Sequence, residues 1–381
     1  MQAEKEMSSQ SRDRELLACL TLFHCRYLGA RTWKELVRAY GSPARAISSG
    51  WEEWLSRSLV NRRQVRSLKD GSAKRDAARD AEIIAKKGYK TIIWTDSEYP
   101  ELLRNIPDPP LLFYYRGDIS LLSRTCLAAV GSRKCSVYGV EMAKSICSEL
   151  SENNICIVSG FASGIDREAH LAGLSGPGSS IAVLGTGIDL IYPARNRDLW
   201  SQLVQKGLVL TEFPPGTEPD GYNFPHRNRI IAGMSNGVLV LQGEMKSGSL
   251  ITASLALDQG REVFAVPGGV NMPGYEGCNQ LIRDGAYLVR SARDILEVVG
   301  SDLHAPDRHS LSANNMRLSE LEVDEDEAGI MELLFPGDEL HIDTITRKTG
   351  WSSSVVSRIL TGLEIKGFVR KSPGMYYSMS V

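Results

Sequence analysis

The chain has 381 residues, 42% of them hydrophobic and 24% charged, with a formal net charge of −2. That length exceeds one ordinary core and predicts two or three domains of about 100–200 residues each. The near-neutral charge excludes a uniformly basic nucleic-acid coat, so any such contact must be local. No apolar run approaches the ~18 residues of a membrane span, no Cys-x-x-Cys pair occurs among the seven cysteines, and the six histidines are scattered, which argues against a metal site.

Residues 1–14 are polar and lack an apolar signal core, so they are expected to form a disordered tail on a cytoplasmic protein. Residues 15–90 read as an N-terminal domain of helices only. Within it, Arg57 to Lys90 holds eleven Lys/Arg against four Asp/Glu, a balance that a solvated helix face explains. An extended connector follows, Tyr99-Pro-Glu-Leu-Leu and then Pro107-Asp-Pro-Pro-Leu-Leu-Phe-Tyr-Tyr-Arg-Gly117, whose prolines oppose helix.

The segment 91–300 has a different character. Twenty-three of the 35 glycines fall between Cys126 and Gly300. Short apolar runs recur there: Leu127–Val130, Ile155–Val158, Ile181–Leu184, Leu208–Leu210, Gly237–Leu241 and Val263–Val266. Each ends in a loop of Gly, Ser or Pro, and nearly every one precedes a helical pattern. Continuous apolar strands alternating with helices predict an α/β domain, its mostly parallel sheet covered on both faces. An acidic linker is expected over 301–327, and 328–381 reads as three helices and a hairpin, a winged helix.

Five loops after these strands carry the polar residues. In Gly131-Ser132-Arg133 a strand turns toward a helix starting near Val137, and free N–H groups with an arginine fork suit a phosphate. The loop Ser159-Gly-Phe-Ala-Ser-Gly-Ile-Asp166 brings Phe161, and the next brings Arg195-Asn196-Arg197 to a helix start. A fourth, around Phe224-Pro-His-Arg-Asn-Arg229, adds Arg227 and Arg229, with a buried structural role open for Arg229. The fifth offers Ser247, Gly248 and Ser249 at a helix N-terminus. In a parallel sheet these loops converge on one edge. Neither a dinucleotide fingerprint nor a Walker A lysine is present, and no catalytic Ser-His-Asp order, paired-carboxylate motif or His-Glu-x-x-His occurs. The reading is a holding site without catalytic residues, cofactor or metal.

Taken in order, GSRKCSVYG, SGFASGID, GTGIDLIYPARN, NFPHRNRIIAGMS, SGSLITA and VPGG followed by GCNQLI resemble the bacterial DprA/Smf DNA-processing family. The upstream YPELL and PPLLFYYRGD match its lead-in. The resemblance implies an extended Rossmann-like domain preceded by a sterile-alpha-motif or helix-hairpin-helix unit. It also implies a homodimer through the Rossmann-like domain that binds single-stranded DNA, protects it and loads RecA recombinase on it in natural transformation. The implied DNA contacts are Gly131, Ser132, Arg133, Arg195, Asn196 and Arg197, with Arg227 and Arg229 added. Phe161 or Phe224 would stack on a base at about 1–3 kcal/mol, and Ser247, Gly248 and Ser249 would form a second phosphate pocket. Two departures stand out: Ser163 replaces an arginine common in the second loop, and the hairpin Tyr27-Leu-Gly-Ala-Arg31 has one of two usual glycines. On the winged helix, Ser353, Ser354, Ser357 and Arg358 face either DNA or a protein. The alternative is a nucleotide-processing hydrolase of the lysine-decarboxylase-like superfamily, with Pro267-Gly-Gly269 and Glu244 as its remnants.

Overall fold

A computed structural model describes residues 2–303, 325–334, 340–365, 368–372 and 375–379. It divides the chain into two compact units, Met1–Pro306 and Asp307–Val381.

The first unit is organised on nine strands: β1 (Lys90–Ile93), β2 (Leu112–Gly117), β3 (Cys126–Gly131), β4 (Cys156–Ser159), β5 (Ser180–Val183), β6 (Leu208–Thr211), β7 (Gly237–Gln242), β8 (Glu262–Ala265) and β9 (Tyr287–Leu288). Their order is β1-β2-β6-β5-β4-β3-β7-β8-β9. All six runs singled out in the sequence are strands, β3 to β8, and they pair in parallel. Strands β3 to β7 are buried almost throughout because helices cover both faces, which is why their residues show no polar alternation. The chain moves outward from β3 through β4 and β5 to β6, then returns to the other side of β3 as β7. This reversal creates a crevice between the C-terminal ends of β3 and β7.

Three expectations need correction. Residues 2–14 are no tail: they form the first half of helix Gln2–Phe23, and Arg12 pairs with Asp96 at 2.8 Å. The connector is not merely extended. Pro100 starts a short helix, Glu101–Arg104, a position where its missing N–H costs no bond. The apolar Leu112–Gly117 enters the sheet as β2, antiparallel to both β1 and β6. The helices of 15–90 do not stand apart either. Trp33 meets Trp94 edge-on at 5.4 Å, and their buried residues join one core with β1, β2 and β6.

The second unit holds helices Glu325–Leu334, Ile342–Thr349 and Ser353–Ile365 with strands β10 (Leu340–His341), β11 (Val369–Ser372) and β12 (Tyr376–Met379). These make a three-stranded sheet, β10-β12-β11, over a core that includes Ile330, Ile345, Leu360 and Tyr377. Most of the expected linker 301–327 lies outside the described residues, while its two ends belong to helices Ala292–Leu303 and Glu325–Leu334. Ser353, Ser357 and Arg358 are exposed, and the Ser354 side chain lies outside the described residues. Among the described residues no helix is long and apolar enough to cross a membrane.

Candidate nucleic-acid interface

The crevice between β3 and β7 opens into a cleft of about 720 Å³. Its mouth is the Gly131–Ser136 turn. Gly131 ends β3 at a bulge, and a Cβ there would stand 2.7 Å from Ile165. Backbone contacts hold the turn on both sides: Ser132 N–H donates to Gln242 O at 2.9 Å, and Ser132 O accepts from Ile165 N–H at 3.1 Å. The Ser132 hydroxyl is spent within the turn, on Lys134 N and O at 3.1 and 3.0 Å. Ser136 caps helix Val137–Glu152 by accepting from Gly139 N–H, so this helix begins at the predicted residue.

Arg133 is exposed, lies in no ion pair among the described residues, and sits 5.4 Å from the Phe224 ring centre. Phe224 stacks on Tyr192 at 5.9 Å with 28° between the rings. Across the cleft, Ser247 and Ser249 share a hydrogen bond of 2.6 Å at the start of helix Gly248–Asp258, and Gly248 lines the wall beside them. Exposed cations, a helix N-terminus and a stacked aromatic pair thus share one open crevice. Such a set suits a chain of phosphates and bases.

The floor is built differently. Helix Asn223–Gly233 begins four residues before Arg227, which places Arg227 and Arg229 on its body, facing inward, and not at its start. Arg227 is 4% exposed; its Nη1 donates to Gly160 O at 2.6 Å and to Val183 O. It faces Asp166 across Gly160, where a Cβ would meet both groups within 2.7 Å. Burial lowers the Arg227 guanidinium to about 10, partly countered by Asp166. The same burial raises the Asp166 carboxyl, against the pull of Arg227 and the amides of Ala162 and Gly160. Arg227 and Asp166 therefore form a charge-compensated floor beneath the ligand space.

The structure separates several expected contacts from this cleft. Arg229 does not line it: buried, it pairs with Glu212 at 2.5 Å and Asp108 at 3.3 Å, the structural role left open for it. Phe161 is 1% exposed and packs on Trp200 at 6.0 Å, so its ring has no free face for a base. Asn196 is fully buried, and its amide donates to Phe161 O at 2.9 Å and Ala162 O at 3.3 Å. It braces the second loop from below. Its neighbours Arg195 and Arg197 are exposed but lie outside the cleft lining.

Sequence reasoning passed over three residues. Lys134 and Tyr192 line the cleft. Gln242, buried at the end of β7, accepts from Ser136 N–H at 2.9 Å and from its hydroxyl at 3.2 Å. A glutamine closing the apolar run Val238–Leu241 was the available signal, since a buried amide needs partners.

Fold and site together define a Rossmann-like protein with a crevice of exposed cations and hydroxyls at its switch point and a winged helix as second unit. The family model for DNA recombination-mediator protein A matches residues 90–300, and that for the DprA winged helix domain matches 316–375. The chain belongs to this DprA/Smf family of DNA-processing proteins. It is 46% identical over 201 residues to DNA processing protein DprA of Streptococcus pneumoniae, covering 53% of this chain and 71% of that one. It is 40% identical over 293 residues to protein Smf of Escherichia coli, covering 75% and 76%. The X-ray structure of the Streptococcus pneumoniae protein superposes with a TM-score of 0.56 at 40% identity, over 59% of this chain and 81% of that one. A DNA processing protein A from Helicobacter pylori, solved to describe its single-stranded DNA binding mode, gives 0.52 at 29% identity, over 56% and 96%.

Proposed function

We propose that this protein binds single-stranded DNA in the β3–β7 crevice, without catalysis. The observation that carries this reading is the wall on which the exposed Arg133 guanidinium lies beside the Phe224–Tyr192 stack. A phosphate and an unpaired base can be held there together, whereas paired bases present no free face. The Helicobacter pylori relative's single-strand binding supports the same reading. Membership of a recombination-mediator family supports the wider role: protecting incoming DNA in the cytoplasm and loading RecA on it during natural transformation, as a homodimer through the Rossmann-like domain.

Gel shifts with single- and double-stranded oligonucleotides of equal length, with and without RecA, test this. Preference for single strands and faster RecA filament assembly are expected. Equal affinity for duplex would overturn the binding reading. Release of free base from nucleoside monophosphates would favour a hydrolase built on Glu244.

A further inference from the structure

The crevice does not account for the cations that close the basic stretch Arg57–Lys90. Lys87 and Lys90 meet Arg116 in a separate open cleft of about 550 Å³, lined also by Tyr89, Tyr115 and Asp118. This cleft stands at the other end of the sheet. Gly117, the last residue of β2, pairs with Leu208, the first residue of β6, whereas the β3–β7 crevice lies beyond the strands' C-terminal ends. A four-residue strand alone sets the two ends about 10 Å apart.

Lys87, Lys90 and Arg116 are exposed and, among the described residues, make no ion pair. The carboxylate of Asp118 is engaged by the Ser120 N–H at 3.0 Å. Two half-buried tyrosines alternate with the cations. Arg116 lies 5.7 Å from the Tyr89 ring centre and Lys90 5.9 Å from that of Tyr115. Both distances fall within the ~6 Å reach of a cation–π contact. A helix C-terminus attracts positive charge and explains Lys87, at the end of helix Ser72–Lys87. It does not explain Lys90 and Arg116, which stand on adjacent strands.

We infer that this cleft is a second contact for single-stranded nucleic acid, with phosphates on Lys87, Lys90 and Arg116 and a base against Tyr89 or Tyr115. Interleaved cations and aromatic rings favour an unpaired strand over duplex, which offers phosphates but no free base face, and over an acidic peptide, which has no use for the rings. The inference extends binding to a new face and does not rest on the reading of the crevice.

Oligo-dT carrying 5-iododeoxyuridine, photo-crosslinked to the full chain and mapped by peptide, tests it. Adducts are expected at Tyr89 or Tyr115 as well as at Tyr192 or Phe224. In Arg133→Ala the Tyr89/Tyr115 adducts persist. In Lys90→Glu/Arg116→Glu they fall at least roughly tenfold, and the slope of log K against log salt flattens by about 1.4. The neutral pair Lys90→Gln/Arg116→Gln, with circular dichroism, guards against misfolding. Adducts at the crevice without any at Tyr89 or Tyr115 would overturn this inference and leave the proposed function standing. Adducts at Tyr89 or Tyr115 alone would do the reverse. Adducts that survive charge reversal, or that polyglutamate displaces as well as unlabelled oligo-dT does, also overturn it.

Discussion

The Arg133 guanidinium lies 5.4 Å from the centre of the Phe224 ring, which itself stacks on Tyr192 at 5.9 Å. A side chain held this way is aimed before any ligand arrives, so it loses little freedom on binding a phosphate. Arg133→Ala is predicted to weaken oligo-dT binding by roughly 10- to 100-fold, the equivalent of about 1.5–3 kcal/mol for a charge-assisted hydrogen bond. The salt slope should flatten by about 0.7. Fluorescence anisotropy across a salt series reads both; unchanged affinity would remove Arg133 from the site.

Arg227 and Asp166 are predicted to govern stability more than contact. Arg227→Met leaves Asp166 buried opposite an apolar group, a change that costs about 3–5 kcal/mol. The double variant Arg227→Met/Asp166→Asn should regain most of it, because no buried charge is then uncompensated. Urea unfolding measures this. Were Arg227→Met to lose DNA binding at unaltered stability, Arg227 would be a ligand contact and not a floor.

His170 makes the fold sensitive to mild acid. Its Nε2 accepts from Phe161 N–H at 3.2 Å and its Nδ1 lies 2.7 Å from the Ser180 hydroxyl, which itself donates to Ile157 O. Burial, with a smaller effect of Arg227, holds the ring's pKa down from 6.5 to about 3. The folded ring is neutral while the unfolded ring takes a proton below 6.5. The contribution is therefore complete above that pH and is lost as pH falls from 6.5 toward 3, by up to about 1.4 kcal/mol per pH unit. Urea midpoints between pH 4.5 and 7 should show this slope in the parent and a flatter one in His170→Gln. Parallel slopes would contradict it.

Gln242→Leu removes the acceptor for both the Ser136 N–H and hydroxyl, which anchor the turn carrying Arg133. A loss of about 1–3 kcal/mol in stability is predicted, together with weaker DNA binding, although Gln242 does not line the cleft. Arg133→Ala should lower affinity alone. A Gln242→Leu protein with parental affinity would show that the turn holds its shape without this bond.

The strands and their parallel pairing were legible because burial on both faces leaves a direct trace, an uninterrupted apolar run. The turns were legible because close approach, as at Gly131 against Ile165, excludes a side chain. β2 was missed. Pro107, Pro109 and Pro110 before it marked an irregular lead-in, while pairing with β1 and β6 is a long-range event with no local signature. The same limit hid the fate of residues 2–14, whose helix is tied down by Arg12 reaching Asp96, 84 positions away.

Among the basic and aromatic residues, type and loop position assigned Arg133, Phe224 and the Ser247–Ser249 turn to one edge, because strand order in a parallel sheet brings those loops together. Which side chains are free could be decided only in three dimensions. Arg133 and Arg229 are the same residue type, yet one projects into solvent and the other meets Glu212 and Asp108. Phe161 and Phe224 divide in the same way, the first sealed under Trp200 and the second facing the cleft. Chemistry is a property of the residue and is written in the chain; a vacant hydrogen bond or an open ring face depends on distant neighbours, and only packing determines it.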